Sequence, residues 1–226
     1  MQILYDRQFR LEHCGWAVMY VRRMSDWTNP HKYYMEDYWN FYFEQIEDYF
    51  SVVKDLRVLE LSSFTGIFWP YILKHQPLSL EGLDPADIKE FVLPNILVHK
   101  TGYENFLPNT NYDVIICFGL VYKLSNPLDL IERIANSNSK YVIFEQISHY
   151  NDDLRLEYLP EKFNVLGNLV VDENYKKVPW NLLTPVPIIV KAFELLGYSL
   201  VKYKDTETPN FLPKEKTCVL LFKNNF

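Results

Sequence analysis

The chain has 226 residues, a formal net charge of −6 and a pI near 5.4. Its 48% hydrophobic and 23% charged residues suit one large globular α/β domain and exclude disordered and collagen-like classes. The acidic balance argues against a sequence-independent nucleic-acid binder, and only 7 glycines warn that any glycine-rich nucleotide loop will be imperfect. The longest apolar runs are short and interrupted, so no membrane span is expected. The start, Met1-Gln2-Ile3-Leu4-Tyr5-Asp6-Arg7, lacks the charged-then-apolar order of a signal peptide. Cys14, Cys117 and Cys218 are odd in number, far apart and without metal spacing, which fits reduced thiols in the cytoplasm and no metal site.

In chain order, residues 1–55 read as a helical extension or lid. Trp39, Tyr42, Phe43, Ile46, Tyr49 and Phe50 recur at three- and four-residue steps with Glu44, Glu47 and Asp48 between them. That pattern is an amphipathic helix with an aromatic face, suited to core packing or to a homodimer interface. His31, Tyr33 and Tyr34 precede it as lid candidates, and Arg7, Arg10, Arg22 and Arg23 make the start locally basic.

From residue 56 onward strand-like and helical runs alternate. Arg57–Leu61, Leu78–Leu83, Ile96–His99, Tyr112–Phe118 and Tyr141–Ile147 read as strands, and Leu128–Ala135 reads as a helix opened by Pro127. The alternation argues for a parallel sheet of βαβ units. Residues 148–183 read as a cap insertion beside the carboxyl ends of the strands. Pro185–Leu196 then reads as a helix stopped by Gly197, and Ser199–Tyr203 and Thr217–Phe222 as two antiparallel strands.

Two junctions carry chemistry. After the first strand, Glu60-Leu61-Ser62-Ser63-Phe64-Thr65-Gly66 is a loop of mostly small residues that lets a ligand approach backbone and helix N-terminus, although an ordinary tight βα turn would use similar residues. About 20 residues on, Asp84-Pro85 ends the second strand, where an acid can accept ribose hydroxyls or simply cap a helix.

Together these junctions resemble the class I S-adenosylmethionine-dependent methyltransferases. Val58–Phe68 is similar to the first cofactor motif of that family, with Glu60 on its acidic position and Gly66 on its last glycine. Ser62 and Phe64 stand where its first two glycines usually are. Tyr112–Leu124, Tyr-Asp-Val-Ile-Ile-Cys-Phe-Gly-Leu-Val-Tyr-Lys-Leu, resembles the fourth-strand motif, with Lys123 in place of a frequent His. Val142-Ile143-Phe144-Glu145 and Trp180 with Thr184-Pro185 are similar to segments of wobble-uridine tRNA methyltransferase-like enzymes, and the latter also to small-molecule and sugar methyltransferases.

The resemblance implies a Rossmann-like, mostly parallel seven-stranded sheet with an antiparallel last strand, preceded by the helical extension. It implies S-adenosyl-L-methionine as cofactor, held by Glu60, Ser62, Ser63, Gly66, Asp84, Pro85, Thr101, Gly102, Phe118, Gly119 and Leu120. Methyl transfer from a sulfonium is an in-line displacement that demands alignment, with a base only where the nucleophile must lose a proton. Tyr122 could orient an acceptor; Glu145 or His149 could take a proton. The first expectation is methyl transfer to a small molecule such as a sugar or metabolite. The alternatives are a tRNA-modifying enzyme and a non-catalytic scaffold, the latter because Phe64 would crowd a ligand unless it turns away.

Overall fold

The computed structural model describes residues 40–61, 66, 68–84, 96–106, 111–121, 124, 126–147, 157–158, 182–207 and 217–226. The early arginines, His31, Tyr33, Tyr34, Trp39 and most of the cap insertion lie outside them.

Five apolar runs form the parallel part of one sheet: β1 (Arg57–Leu61), β2 (Ser79–Leu83), β3 (Leu97–His99), β4 (Val114–Cys117) and β5 (Tyr141–Ile147). All four residues of β4 are fully buried, as a central strand covered on both faces requires. Helices α1 (Trp69–Leu73), α2 (Tyr103–Phe106) and α3 (Pro127–Asn136) fall between these strands. A two-stranded antiparallel pair, β6 (Glu157–Tyr158) with β7 (Leu182–Leu183), lies within the expected cap. Helix α4 (Val186–Leu195) and strands β8 (Tyr198–Thr206) and β9 (Thr217–Asn224) complete the chain.

The sheet has seven strands in the order β3-β2-β1-β4-β5-β9-β8. Strand β9 is antiparallel to both β5 and β8, so it alone runs against the others. This is the architecture that the resemblance implies. The chain places β1 beside β4 at the point where strand order reverses, the position at which open α/β sheets bind ligands.

Alternation of side chains sends each strand's residues into two cores. Val58, Val114, Ile116, Ile143, Val219 and Leu221 face one layer; Leu59, Leu61, Ile115, Val142, Phe144 and Leu220 face the other. The second layer is closed by α3 and α4. Helix α3 starts where Asn126 Oδ1 accepts from the Asp129 amide and Pro127 occupies its first turn, and it buries Leu130, Ile131, Ile134 and Ala135. Helix α4 ends before Gly197, whose φ of +89° is open to glycine at no steric cost.

The first layer is closed by the aromatic helix. Residues 40–46 are α-helical and run into a 3₁₀ helix, Glu47–Val53. Tyr42, Phe43, Ile46, Tyr49, Phe50 and Val53 are all buried against the sheet, while Phe41, Glu44, Glu47 and Asp48 are exposed. The aromatic face therefore belongs to the chain's own core and is closed to a second copy. This segment packs into the same core as the sheet that follows residue 56.

Three strands are shorter than the sequence pattern suggests, β3 by the single residue Ile96. Strand β4 begins after Tyr112-Asp113 because the Asp113 carboxylate accepts from the Arg57 amide at 2.9 Å and from its Nε at 3.2 Å, closing the opposite edge of the sheet. Leu78 precedes β2 and is 71% exposed. The tail strands extend further than expected, and β8 carries an irregularity between Leu200 and Lys202.

Phe193 of α4 is fully buried and stacks on Phe222 of β9 with ring centroids 4.2 Å apart. Phe193→Ala should lower unfolding free energy by about 3–5 kcal/mol, measured as a shift of the urea midpoint at unchanged slope.

Candidate functional site

Strand register decides which residues meet. Leu61 pairs with Leu83 of β2 and Cys117 of β4; Leu83 pairs with His99 of β3, and Cys117 with Phe144 of β5. The residues that follow these positions leave the sheet side by side along one edge. They include Asp84, Thr101, Gly102, Phe118 and Gly119; Glu145 adjoins them from within β5, where it pairs with Val219 of β9. Ser62, Ser63, Phe64, Pro85, Tyr122, Lys123 and His149 lie outside the described residues.

Glu60, one residue before the end of β1, is 1% exposed. Its Oε2 accepts from Trp69 Nε1 at 2.6 Å, and its Oε1 has no hydrogen-bond partner among the described residues. Burial pushes the carboxyl up to about 8; the Trp69 hydrogen bond opposes this and the nearby Asp84 charge adds to it. A buried acceptor left open is costly unless something completes it.

Gly66 has φ +65°, and a Cβ built on it would stand 2.4 Å from Cε3 of the fully buried Trp69. The Trp69 amide also donates to the Gly66 carbonyl at 3.1 Å. One tryptophan thus fixes both retained features of the loop: it demands glycine at 66 and holds the acid at 60. Trp69 has no role in the sequence reading, because nothing in its spacing signals that its indole turns back to Gly66 and Glu60.

Asp84 is 5% exposed, and its amide donates to the His99 carbonyl at 3.0 Å. The Thr101 amide donates to the same carbonyl at 3.0 Å, so His99 ties the expected ribose acid to the expected adenine loop. The His99 side chain is anchored too. Its Nε2 lies 2.6 Å from Glu81 Oε2, to which the Tyr112 hydroxyl also donates at 2.6 Å. Burial, then the Glu81 hydrogen bond and charge, hold the Tyr112 phenol protonated above its usual range.

After β4 the chain turns at Gly119, φ +65°. The Gly119 amide donates to Glu145 Oε2 at 2.8 Å, and the Tyr42 hydroxyl donates to Glu145 Oε1 at 3.0 Å. Phe118 is 2% exposed and its ring packs against Phe50 and Phe68, so only its backbone faces the edge. Leu120 packs against the α3–α4 core. Among the described residues, no group of three or more His, Cys, Asp or Glu is placed to hold a metal ion. No helix among them is long and apolar enough to cross a membrane.

This edge belongs to a known family of proteins. Residues 21–173 match the model of a methyltransferase domain, and the chain belongs to that family. The class I S-adenosylmethionine-dependent methyltransferases are accordingly the group in which its fold and edge are to be read. A tRNA U34 carboxymethyltransferase of Campylobacter lari is 24% identical over 186 residues, covering 77% of this chain and 60% of that protein. The chain thus spans about 60% of the length of that curated relative. Among solved structures, magnesium protoporphyrin IX methyltransferase from Synechocystis PCC 6803 with bound SAM has the same fold, with TM-score 0.56 and 11% identity over 80% of this chain and 77% of that one. An S-adenosylmethionine-dependent methyltransferase from Mesorhizobium loti gives TM-score 0.55 and 13% identity over 76% and 92%.

The raised Glu60 value has a measurable sign. The folded protein keeps a proton that the unfolded chain releases above its ordinary value of 4.5, so this contribution is full below that pH and is lost as pH rises through about 8. Thermal unfolding should show stability falling between pH 5 and 8 by on the order of a few kcal/mol, and Glu60→Gln should flatten that slope while keeping the acceptor for Trp69.

Proposed function

We propose that the chain binds S-adenosylmethionine at the carboxyl edge of β1, β2 and β4 and transfers its methyl group to a small-molecule acceptor, a sugar or another metabolite. The observation that carries this reading is the convergence of Glu60, Gly66, Asp84 and Gly119 on adjoining strand ends at the sheet's switch point. The chemistry of the donor set fits the cofactor. Asp84 offers a carboxylate to ribose hydroxyls, and Gly119 offers a backbone without a side chain. The Oε1 of Glu60, without a partner among the described residues, offers a polar atom in a dry setting. Ser62, Ser63, Pro85, Thr101, Gly102 and Leu120 are proposed to complete the cradle.

When bound, the cofactor supplies an electrophilic methyl on a sulfonium. The chain's part is to align the acceptor, exclude water and accept a proton where the nucleophile carries one. Tyr122, which follows β4, is assigned the orientation of the acceptor. His149, which follows β5, is assigned proton removal. Asp84 and Glu145 make the described edge acidic, which favours a cationic cofactor and a compact acceptor over a phosphate backbone. A cytoplasmic setting is part of the proposal, supported by the buried Cys117 and Cys218 thiols.

A second reading, modification of tRNA, is favoured by one observation, the 24% identity to the Campylobacter lari tRNA U34 carboxymethyltransferase. Incubation with methyl-labelled cofactor, a metabolite extract and unmodified tRNA separates the two. Label in the small-molecule fraction is expected; label confined to tRNA makes the second reading the right one.

Cofactor binding is tested by calorimetric titration of the chain with S-adenosylhomocysteine. Saturable binding is expected, weakened roughly tenfold or more in Asp84→Ala through loss of charge-assisted hydrogen bonds. No heat at millimolar ligand would leave the fold as a scaffold and overturn the proposal.

A further inference from the structure

We propose that Glu145 is a positioning residue: its carboxylate clamps the N-terminal helix to the glycine turn after β4 and so sets one wall of the ligand mouth. The link to a ligand rests on the cofactor reading given above; the clamp itself does not.

The clamp joins three elements distant in sequence. Glu145 follows Phe144 within β5, and Phe144's partner Cys117 ends β4, so Glu145 lies level with the first residues past β4 and its side chain reaches across to the turn at Gly119. Oε2 accepts from the Gly119 amide at 2.8 Å and Oε1 from the Tyr42 hydroxyl at 3.0 Å. Tyr42 lies 103 residues earlier and is 2% exposed. A carboxylate receiving both an N–H and an O–H in a partly buried place makes stronger bonds than a neutral acceptor would.

The helix it holds is fixed at other points as well, among them a bond from Lys204 Nζ to the Gln45 carbonyl at 2.6 Å. Tyr71 of α1 stacks on Phe43 at 3.9 Å and donates to Asn40 Oδ1 at 2.6 Å. Gln45 exchanges hydrogen bonds with the backbone of Glu207 just past β8, at 3.0 and 2.8 Å. Glu145 is thus the charged tie between this helix and the edge where Gly119 turns.

The neighbouring residue does the same on the other face. Strand alternation points Gln146 away from Glu145, and its Nε2 donates to the Thr184 carbonyl at 2.9 Å, where the chain returns from the cap region. The end of β5 therefore holds two flanking segments at once, one per face.

A general base would need a carboxylate oxygen facing the acceptor's proton at hydrogen-bond distance. Both oxygens of Glu145 instead face donors of the protein itself. The glutamate expected from the sequence as a proton acceptor is thereby assigned to geometry.

Two variants, Glu145→Gln and Tyr42→Phe, test this with two readouts taken well below the melting temperature of each. Glu145→Gln keeps the side chain's size but turns an NH₂ toward one of the two donors. Hydrogen exchange of residues 40–46 should accelerate roughly tenfold in both variants, and that of the Gly119 amide in Glu145→Gln. Affinity for S-adenosylhomocysteine should fall roughly fivefold or more in Glu145→Gln, and less in Tyr42→Phe. A catalytic base would leave both exchange and product affinity unchanged. Unchanged exchange in both variants overturns the clamp. Faster exchange with unchanged affinity overturns its role at the mouth. If the wild-type chain itself does not bind the probe, the cofactor reading and the mouth fail together, while exchange still decides the clamp.

Discussion

Burial of both faces of β1 and β4 is the constraint on which the rest depends. A parallel strand covered on two sides has no room for a polar side chain along its length, so polar groups collect where the strand ends. Helices α3 and α4 close one face, and the aromatic helix with α1 closes the other. The parallel register then delivers four strand ends to one edge in step. The single acid inside this zone, Glu60, sits one residue from that edge and is tolerated because Trp69 donates to it and because it keeps its proton.

Trp69, His99 and Glu145 share a design. Each holds two separate parts of the edge or its surroundings in relation to one another. Trp69 links Gly66 to Glu60; His99 links Asp84 to Thr101; Glu145 links Gly119 to the N-terminal helix. Fixed geometry of this kind is what the proposed methyl transfer calls for, since an in-line displacement loses rate with small errors of alignment.

The sheet was largely legible because its signals are local. Alternation and apolar runs marked β1 and β5 at both ends, and Pro127 and Gly197 bracketed α3 and α4 to within a residue. The antiparallel tail followed from a connection too short for a crossover helix. The edge residues Glu60, Asp84 and Gly119 were legible through motif resemblance. Their supports were not: 103 residues separate Tyr42 from Glu145, and a single hydroxyl at that spacing leaves no periodic trace. The aromatic face was ambiguous for a related reason, since a stripe of buried rings has the same spacing whether its partner is the same chain or another.

The two ends of the sheet differ in a way that bears on behaviour in concentrated solution. One border strand, β3, offers only three residues of unpaired backbone. The other, β8, is nine residues long with Val201 and Tyr203 exposed, a form that invites another chain to add a strand. Its register shift between Leu200 and Lys202 breaks the regular ladder, and Lys202 and Lys204 lie beyond the break. Lys202 pairs with Asp48 and Lys204 donates to the Gln45 carbonyl, so the long border is pinned to its own chain. Self-association through strand addition is thereby opposed along the one border long enough to support it.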